Sequence, residues 1–191
     1  QLDALVTAGT VALAEQEIES AQTYFGDAVK TRPTSGRSWS GMGLVSMLRL
    51  DIDQAIADFE RAVEHMPNHI GTWHSLAWCQ ILRDDLVAAQ TSFEKSLEVD
   101  DRFGETYGGL AVVSILQGKM DNVKELIVKA LRLDPMSFSA RFAQSLMAQH
   151  NGDPEKAKEI IHNIFGALNS MEGVDFAGML QKVMKFNKIT N

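Results

Sequence analysis

The chain has 191 residues, of which 45% are hydrophobic and 23% charged, a balance typical of a folded globular chain rather than a disordered one. Its net charge is −7 and its Lys and Arg residues do not cluster, which disfavours nucleic acid or an anionic membrane surface as a direct partner. A single cysteine, Cys79, excludes an intramolecular disulfide framework, and its apolar neighbours predict that it is a core residue.

The chain begins at Gln1 without an initiating Met, so we expect a processed or excised piece of a longer protein. The single cysteine favours the cytoplasm as its compartment. If a signal peptide or membrane anchor preceded Gln1, a periplasmic or membrane-anchored location is expected instead.

Apolar residues recur at helical spacing along the chain and predict ten helices joined by short turns. In chain order the helices are expected near residues 2–14, 18–31, 36–48, 52–65, 70–82, 86–99, 104–117, 120–132, 137–150 and 154–168. Asp51 and Asp53 suit the start of one helix, and Asp153 before Pro154 suits the start of another. Turns are expected at Gly118-Lys119 and Asn151-Gly152.

A further amphipathic stretch follows, with apolar residues from Phe176 to Met184 on one face. It predicts a C-terminal helix and tail, residues 170–191, that cap the open edge of the last helix pair. The alternative is a detachable helix that docks into a neighbour's groove.

The predicted helices repeat with a period of 34 residues, and equivalent positions hold similar side chains. Small residues let two helices approach closely while large ones fill the space opposite, so these columns predict packed helix pairs. The columns are Leu5, Trp39, Trp73, Tyr107 and Arg141; Gly9, Gly43, Ala77, Ala111 and Ser145; Ala21, Ala55, Ala89, Val123 and Ala157; Phe25, Phe59, Phe93, Ile127 and Ile161; and Pro33, Pro67, Asp101 and Pro135.

These columns resemble the tetratricopeptide-repeat signature W-x2-L-G-x2-Y, then A-x3-F, then P. The second repeat matches it as Trp39, Met42, Gly43, Ala55, Phe59, Ala62 and Pro67. The usual Tyr of the first helix is missing throughout, and Ala12, Ser46, Gln80, Ser114 and Ala148 stand in its place. The resemblance implies an all-α, right-handed α-α superhelix in a domain of residues 1–169, with repeats near 2–35, 36–69, 70–103, 104–137 and 138–169.

No pattern for catalysis is recognisable, so we expect neither an enzyme nor a bound cofactor. His65 and His69 are four residues apart, but Pro67 lies between them and no Cys or acidic cluster supplies further ligands. Both are interpreted as ordinary surface histidines, and no metal site is expected. Gly118-Lys119 lacks the glycine-rich run of a phosphate loop.

The resemblance implies that the first helices of the repeats line a concave groove for another protein or a peptide. The groove is predicted to be apolar and to lack the basic residues with which related adaptors grip acidic C-termini, so an apolar segment is the expected ligand. The alternative is that the same side chains are buried between helices. They are Leu44, Met47, His74, Trp78, Ile81, Gly108, Gly109, Val112, Ile115, Phe142 and Leu146.

Trp78 is the predicted binding hot spot, because it lies outside the packing columns and points away from Trp73. The next repeat is expected to bring Gly108 and Gly109 close to it, and two helical glycines require an offsetting contact. Close approach of a ligand or a side chain would supply that contact. The alternative is that the Trp78 ring merely fills the hollow over the glycines.

Three functions are compatible with such a chain. The first is a binding scaffold, with assembly of a bacterial secretion or envelope complex as a setting that rests on family analogy alone. The second is a chaperone that shields hydrophobic segments of a client protein. The third is a self-assembling structural protein, which would form homo-oligomers.

Overall fold

The computed structural model describes residues 1–168, and all regular secondary structure in that range is helical. The helices are α1 (Leu2–Ala14), α2 (Ile18–Thr31), α3 (Gly36–Leu48), α4 (Ile52–His65), α5 (Ile70–Leu82), α6 (Leu86–Val99), α7 (Gly104–Leu116), α8 (Val123–Leu133), α9 (Phe138–His150) and α10 (Pro154–Leu168). No helix in this range combines the length and apolarity that a bilayer crossing requires. The all-α prediction is confirmed, while the predicted capping helix, residues 170–191, lies outside the described residues.

The helix bounds follow the predicted ones closely, with the largest difference at α8. This helix begins at Val123 rather than near residue 120. Asp121 and Asn122 form a turn, in which the Val123 N–H donates to the Met120 carbonyl at 3.4 Å. Asp and Asn favour such turns because their side chains compete for backbone hydrogen bonds.

Contacts divide the chain into two compact units, Gln1–Ser92 and Phe93–Asn191, and the boundary falls inside α6. In the first unit, α1 packs on α2, α2 on α3, α3 on α4 and α4 on α5. In the second unit, α7 packs on both α8 and α9, and α9 packs on α10. Within each unit, consecutive helices thus form the pairs that the 34-residue period predicts.

The Phe column forms the centre of the first unit, where Phe25 and Phe59 are buried. Each ring lies against glycine. A Cβ placed on Gly43 would lie 2.7 Å from the Phe59 ring, and one on Gly9 would lie 2.8 Å from the Phe25 ring, which also contacts Gly41. The glycines are therefore required by close packing, because a methyl group at these positions would overlap an aromatic ring.

The turns inside the helix pairs share one backbone conformation. Each contains a residue with positive φ, and these residues are spaced by the repeat: Gln16 (φ 60), Leu50 (φ 62), Asp84 (φ 66), Gly118 (φ 73) and Gly152 (φ 79). The N–H that follows each one donates back to the first helix, as Asp51 does to the Ser46 carbonyl at 3.0 Å. This is the Schellman motif that ends many helices.

The junctions between pairs are joined by a repeated hydrogen bond. The large side chain near the start of α3, α5, α7 and α9 donates to a backbone carbonyl six residues earlier. The bonds are Trp39 Nε1 to Pro33 (2.7 Å), Trp73 Nε1 to Pro67 (2.7 Å), Tyr107 Oη to Asp101 (2.8 Å) and Arg141 Nη2 to Pro135 (3.1 Å). Arg141 can replace an aromatic residue here because it preserves the donor.

The missing Tyr column is replaced by buried polar pairs in two repeats. Ser46 Oγ donates to Asp58 Oδ2 at 2.9 Å, and Ser92 Oγ donates to Gln80 Oε1 at 2.7 Å. Gln54 Nε2 donates to Asp58 Oδ1 at 2.9 Å. Burial raises the pKa of Asp58 above its ordinary value of 3.8, although both hydrogen bonds act in the opposite direction.

Candidate protein-binding face

The first helices of neighbouring pairs lie side by side in the first unit. Ser40 Oγ of α3 and Thr72 Oγ1 of α5 are 3.3 Å apart. Arg37 of α3 forms an ion pair of 3.4 Å with Asp3 of α1. These contacts bring α3 next to both α1 and α5, so side chains on their shared outer side form one surface.

This surface is almost free of charge. Helix α5 contains no Asp, Glu, Lys or Arg, and the only one in α3 is Arg37, which is ion-paired. Helix α7 of the second unit shows the same pattern. Its only charged residue is Glu105, whose carboxylate accepts the N–H groups of Phe138 and Ser139, at 2.5 and 3.1 Å, at the start of α9. Such a carboxylate stabilises the helix N-terminus that it caps.

Four of the predicted site residues lie in the first unit and remain partly exposed. Leu44 and Met47 of α3 pack against the core formed by α4 and α5 but are only half-buried. His74 and Trp78 of α5 are also half-buried, and their spacing of four places them on the same side of the helix. Ile81 is buried, with 4% of its surface exposed, and therefore belongs to the core.

Burial lowers the pKa of His74 to about 4, so its imidazole is neutral at physiological pH. The four side chains on α3 and α5 are consequently uncharged. We define Leu44, Met47, His74 and Trp78 as the first-helix face.

The predicted site residues in the second unit are mostly interior. Ile115 alone among them is half-buried, whereas the others are buried: Gly108, Gly109, Val112, Phe142 and Leu146. The protein's own packing covers these residues, and their contact with a ligand stays a prediction. Their burial agrees with the alternative interpretation as internal core.

The hollow predicted over Gly108 and Gly109 is filled from within the second unit. A Cβ on Gly109 would collide with the Phe93 ring, just as one on Gly41 would collide with Phe25. A Cβ on Gly108 would collide with the backbone of α9 at Ala140. Both glycines are explained by helix packing, so they supply no argument for a ligand beside Trp78.

His69 and Cys79 carry groups that could react or bind a metal, but their surroundings give both residues structural roles. His69 Nδ1 accepts the Thr72 N–H at 3.1 Å and so caps the start of α5. Within residues 1–168, no group of three or more His, Cys, Asp or Glu side chains is arranged to hold a metal ion. Cys79 is buried as predicted, and burial raises the pKa of its thiol to about 12, which disfavours the reactive thiolate.

One surface was not identified from the sequence. The outer side of α8 combines exposed Val128 with basic residues, although it belongs to a second helix. The signal was present, because Val128 interrupts the otherwise charged side of an amphipathic helix. Single exposed apolar residues are common, so Val128 by itself does not indicate a binding surface.

No protein-family model matches this chain, and no curated protein matches it. Solved structures do. A thermophilic TPR protein of Thermus thermophilus, TTC0263, is 16% identical with a TM-score of 0.69, covering 97% of this chain and 98% of its own. Pseudomonas aeruginosa pilF is 17% identical with a TM-score of 0.69, and the match covers 98% of this chain and 83% of pilF.

A third structure, YrrB, is described as a TPR protein with an unusual peptide-binding site. It is 15% identical with a TM-score of 0.65, and the match covers 93% of this chain and 89% of YrrB. Identities this low carry information about the fold alone. The similarities agree with the 34-residue columns and the repeated turns, and the chain thus has the tetratricopeptide-repeat fold.

Proposed function

We propose that the chain is a non-enzymatic protein-interaction scaffold whose first-helix face binds an apolar segment of a partner protein. The observation that carries the proposal is the absence of charge from this face together with its half-buried apolar side chains. A partner that covers Leu44, Met47 and Trp78 with apolar groups gains the free energy of removing them from water. A charged partner would lose hydration without finding a counter-ion.

Trp78 is the proposed anchor of this interaction. Its ring is half-buried in the free protein, so a partner can cover the remaining surface without reorganising the core. Neutral His74, one turn away, keeps this part of the face free of charge. Ile115 of α7 remains a further candidate contact in the second unit.

The test is a selection of random peptides displayed on phage against the full chain, followed by affinity measurements on a synthetic copy of the enriched peptide. We expect an apolar consensus. Trp78→Ala should weaken binding by about 2 kcal/mol, roughly thirtyfold, because truncation of a central aromatic anchor commonly has this effect. Val87→Ala is the matched control, since Val87 is 74% exposed and lies on α6.

This selection, together with an aggregation assay and sedimentation, separates the alternatives. A charged consensus, or an unchanged affinity of Trp78→Ala, would contradict the proposed face. A chaperone would instead bind many unrelated apolar peptides without consensus and suppress aggregation of a denatured protein. A self-assembling protein would show a mass that rises with concentration in sedimentation. Assembly of a bacterial secretion or envelope complex stays a prediction that identification of the natural partner would test.

A further inference from the structure

Helix α8 carries two parallel rows of side chains on its outer side. Residues in each row are four positions apart, and together they line a groove of about 470 Å³: Lys124, Val128 and Arg132 in one row, and Glu125, Lys129 and Leu133 in the other. Side chains spaced by four form ridges on a helix, and the ridge of a second helix packs into the groove between two such rows. The geometry therefore fits a helix. We call this surface the α8 groove.

The α8 groove is distinct from the packed side of the helix. Val123, Ile127 and Ala130 face the core and are at most 3% exposed. Val128 is 66% exposed and Leu133 is 39% exposed. Apolar surface of this extent on a second helix has no role in packing the described part of the chain, so it is free to contact another molecule.

The charge around the α8 groove is basic, in contrast to the net charge of −7 for the whole chain. Lys124 and Arg132 flank Val128, and neither forms an ion pair with any residue from 1 to 168. The Lys129 ammonium lies 4.0 Å from the centre of the Tyr107 ring, a cation–π contact that fixes its position. The groove carries the cations Lys124, Lys129 and Arg132 against the single carboxylate of Glu125, and this excess of positive charge favours a negatively charged partner.

We propose that the α8 groove docks an acidic amphipathic helix of another protein. Apolar side chains of that helix, four residues apart, lie between the two rows and cover Val128 and Leu133. Its Asp and Glu residues face Lys124, Lys129 and Arg132. The groove and the first-helix face lie on different helices and share no residue, so variants can test them separately.

The remainder of this chain is a poor occupant of the α8 groove. Residues 169–191 carry Lys182, Lys185 and Lys188 against Glu172 and Asp175. Its side chains carry a net charge of +1, so this stretch offers no net negative charge to the cations of the groove. Charge complementarity therefore selects a partner rather than the chain's own C-terminus.

The test uses the full chain and two synthetic helical peptides with identical Leu positions, one with Glu and one with Lys on the polar positions. Binding is measured by fluorescence anisotropy. We expect the Glu peptide to bind at least about tenfold tighter than the Lys peptide. Its affinity should fall as salt rises from about 0.05 M to about 0.5 M, because the ionic contacts are screened.

Variants locate the site. Val128→Ser and Arg132→Glu should each lower the affinity for the Glu peptide about tenfold. Lys156→Glu on α10 is the matched charge control and should change the affinity for the Glu peptide little. Trp78→Ala should also leave this affinity unchanged, so the α8 groove and the first-helix face can fail separately. Equal binding of both peptides, or an equal loss in Lys156→Glu, would overturn the proposal. So would a gain in affinity of about tenfold or more on deleting residues 169–191, which would mean that the chain's own C-terminus covers the groove.

Discussion

Single glycines set how closely the helices of this chain approach one another. Gly43 lies in the middle of α3, where glycine normally weakens a helix. Its missing side chain makes room for the Phe59 ring. The local cost of glycine is offset by the packing of a large buried aromatic residue, so the benefit depends on tertiary contact rather than on helix propensity.

Two Gly→Ala substitutions should therefore have opposite effects. Gly43→Ala should destabilise the protein by about 1–3 kcal/mol, because the new methyl group overlaps the Phe59 ring. Gly26→Ala in α2 should stabilise it by about 0.5–1 kcal/mol, since nothing lies within 4 Å of the added Cβ and alanine favours the helix. Urea denaturation measures both. If the two variants change the free energy of unfolding in the same direction, the packing explanation fails.

The sequence predicted which residues pack but not which polar residues are buried with them. The periodic Phe column identified Phe25 and Phe59 as core, and both are buried. Asp58 gave no such signal, because its carboxylate resembles the neighbouring surface charges of α4. Its burial depends on Ser46, which occupies the position of the usual Tyr and supplies a hydrogen bond instead.

Asp58 should make stability depend on pH in a defined direction. Burial raises its pKa in the folded state above the ordinary value of 3.8, so the folded protein binds the proton more tightly than the unfolded chain does. Stability is thus lost as pH rises through the window above 3.8 and up to the folded pKa. The side chain introduced by Asp58→Asn has no titrating group, so this variant does not lose stability through that window.

The free energy of unfolding of wild type relative to Asp58→Asn should therefore fall with rising pH in that window and then level off. Urea denaturation at a series of pH values checks the slope. A constant difference, or one of the opposite sign, would show that burial does not govern this carboxyl group.

At the scale of elements, the turns inside the helix pairs carry backbone strain in three of the five repeats described. Gly118 and Gly152 adopt positive φ without cost, whereas Gln16, Leu50 and Asp84 adopt it with a side chain. An L-residue in this region costs about 1–2 kcal/mol. The repeat imposes the same turn on every pair whether or not glycine is present.

Gln16→Gly should relieve this strain and stabilise the protein by about 1 kcal/mol. Gln16 is exposed, so the loss of its side chain removes little packing. Gln16→Ala is the matched control and should change stability little, because it retains Cβ. Gly118→Ala should cost about 1 kcal/mol, since the space around it is open and only the backbone conformation is strained. A gain from Gln16→Ala equal to that from Gln16→Gly would rule out relief of backbone strain.

Helix ends and turns were predictable where the sequence signals them locally. Pro154 marks the start of α10, and Gly152 marks the turn before it. The turns at Gln16 and Leu50 have no such residue and could be inferred only by applying the period. The predicted start of α8 is wrong, because the hydrophobic Met120 precedes a turn rather than a helix.

For the molecule as a whole, the repeat determined the fold, while the exposure of individual apolar residues on the first helices needed coordinates. Val112 and Leu44 occupy equivalent positions of the repeat on α7 and α3, yet Val112 is fully buried and Leu44 is half-buried. Hydrophobic periodicity is identical in the two cases, because it reports only that a residue lies on the apolar side of a helix. Whether a neighbouring side chain covers that position depends on packing details such as the glycines of α7.

The central claim is that a partner contacts the first-helix face at Trp78, and the indole N–H signals of the three tryptophans test it most directly. Trp39 and Trp73 are internal references, because neither belongs to the first-helix face. Their indoles donate to the Pro33 and Pro67 carbonyls at the junctions between pairs, both at 2.7 Å. On titration with the selected apolar peptide, two-dimensional NMR should show the Trp78 signal moving in a saturable way while the other two stay in place. Binding that leaves the Trp78 signal unchanged would contradict the account.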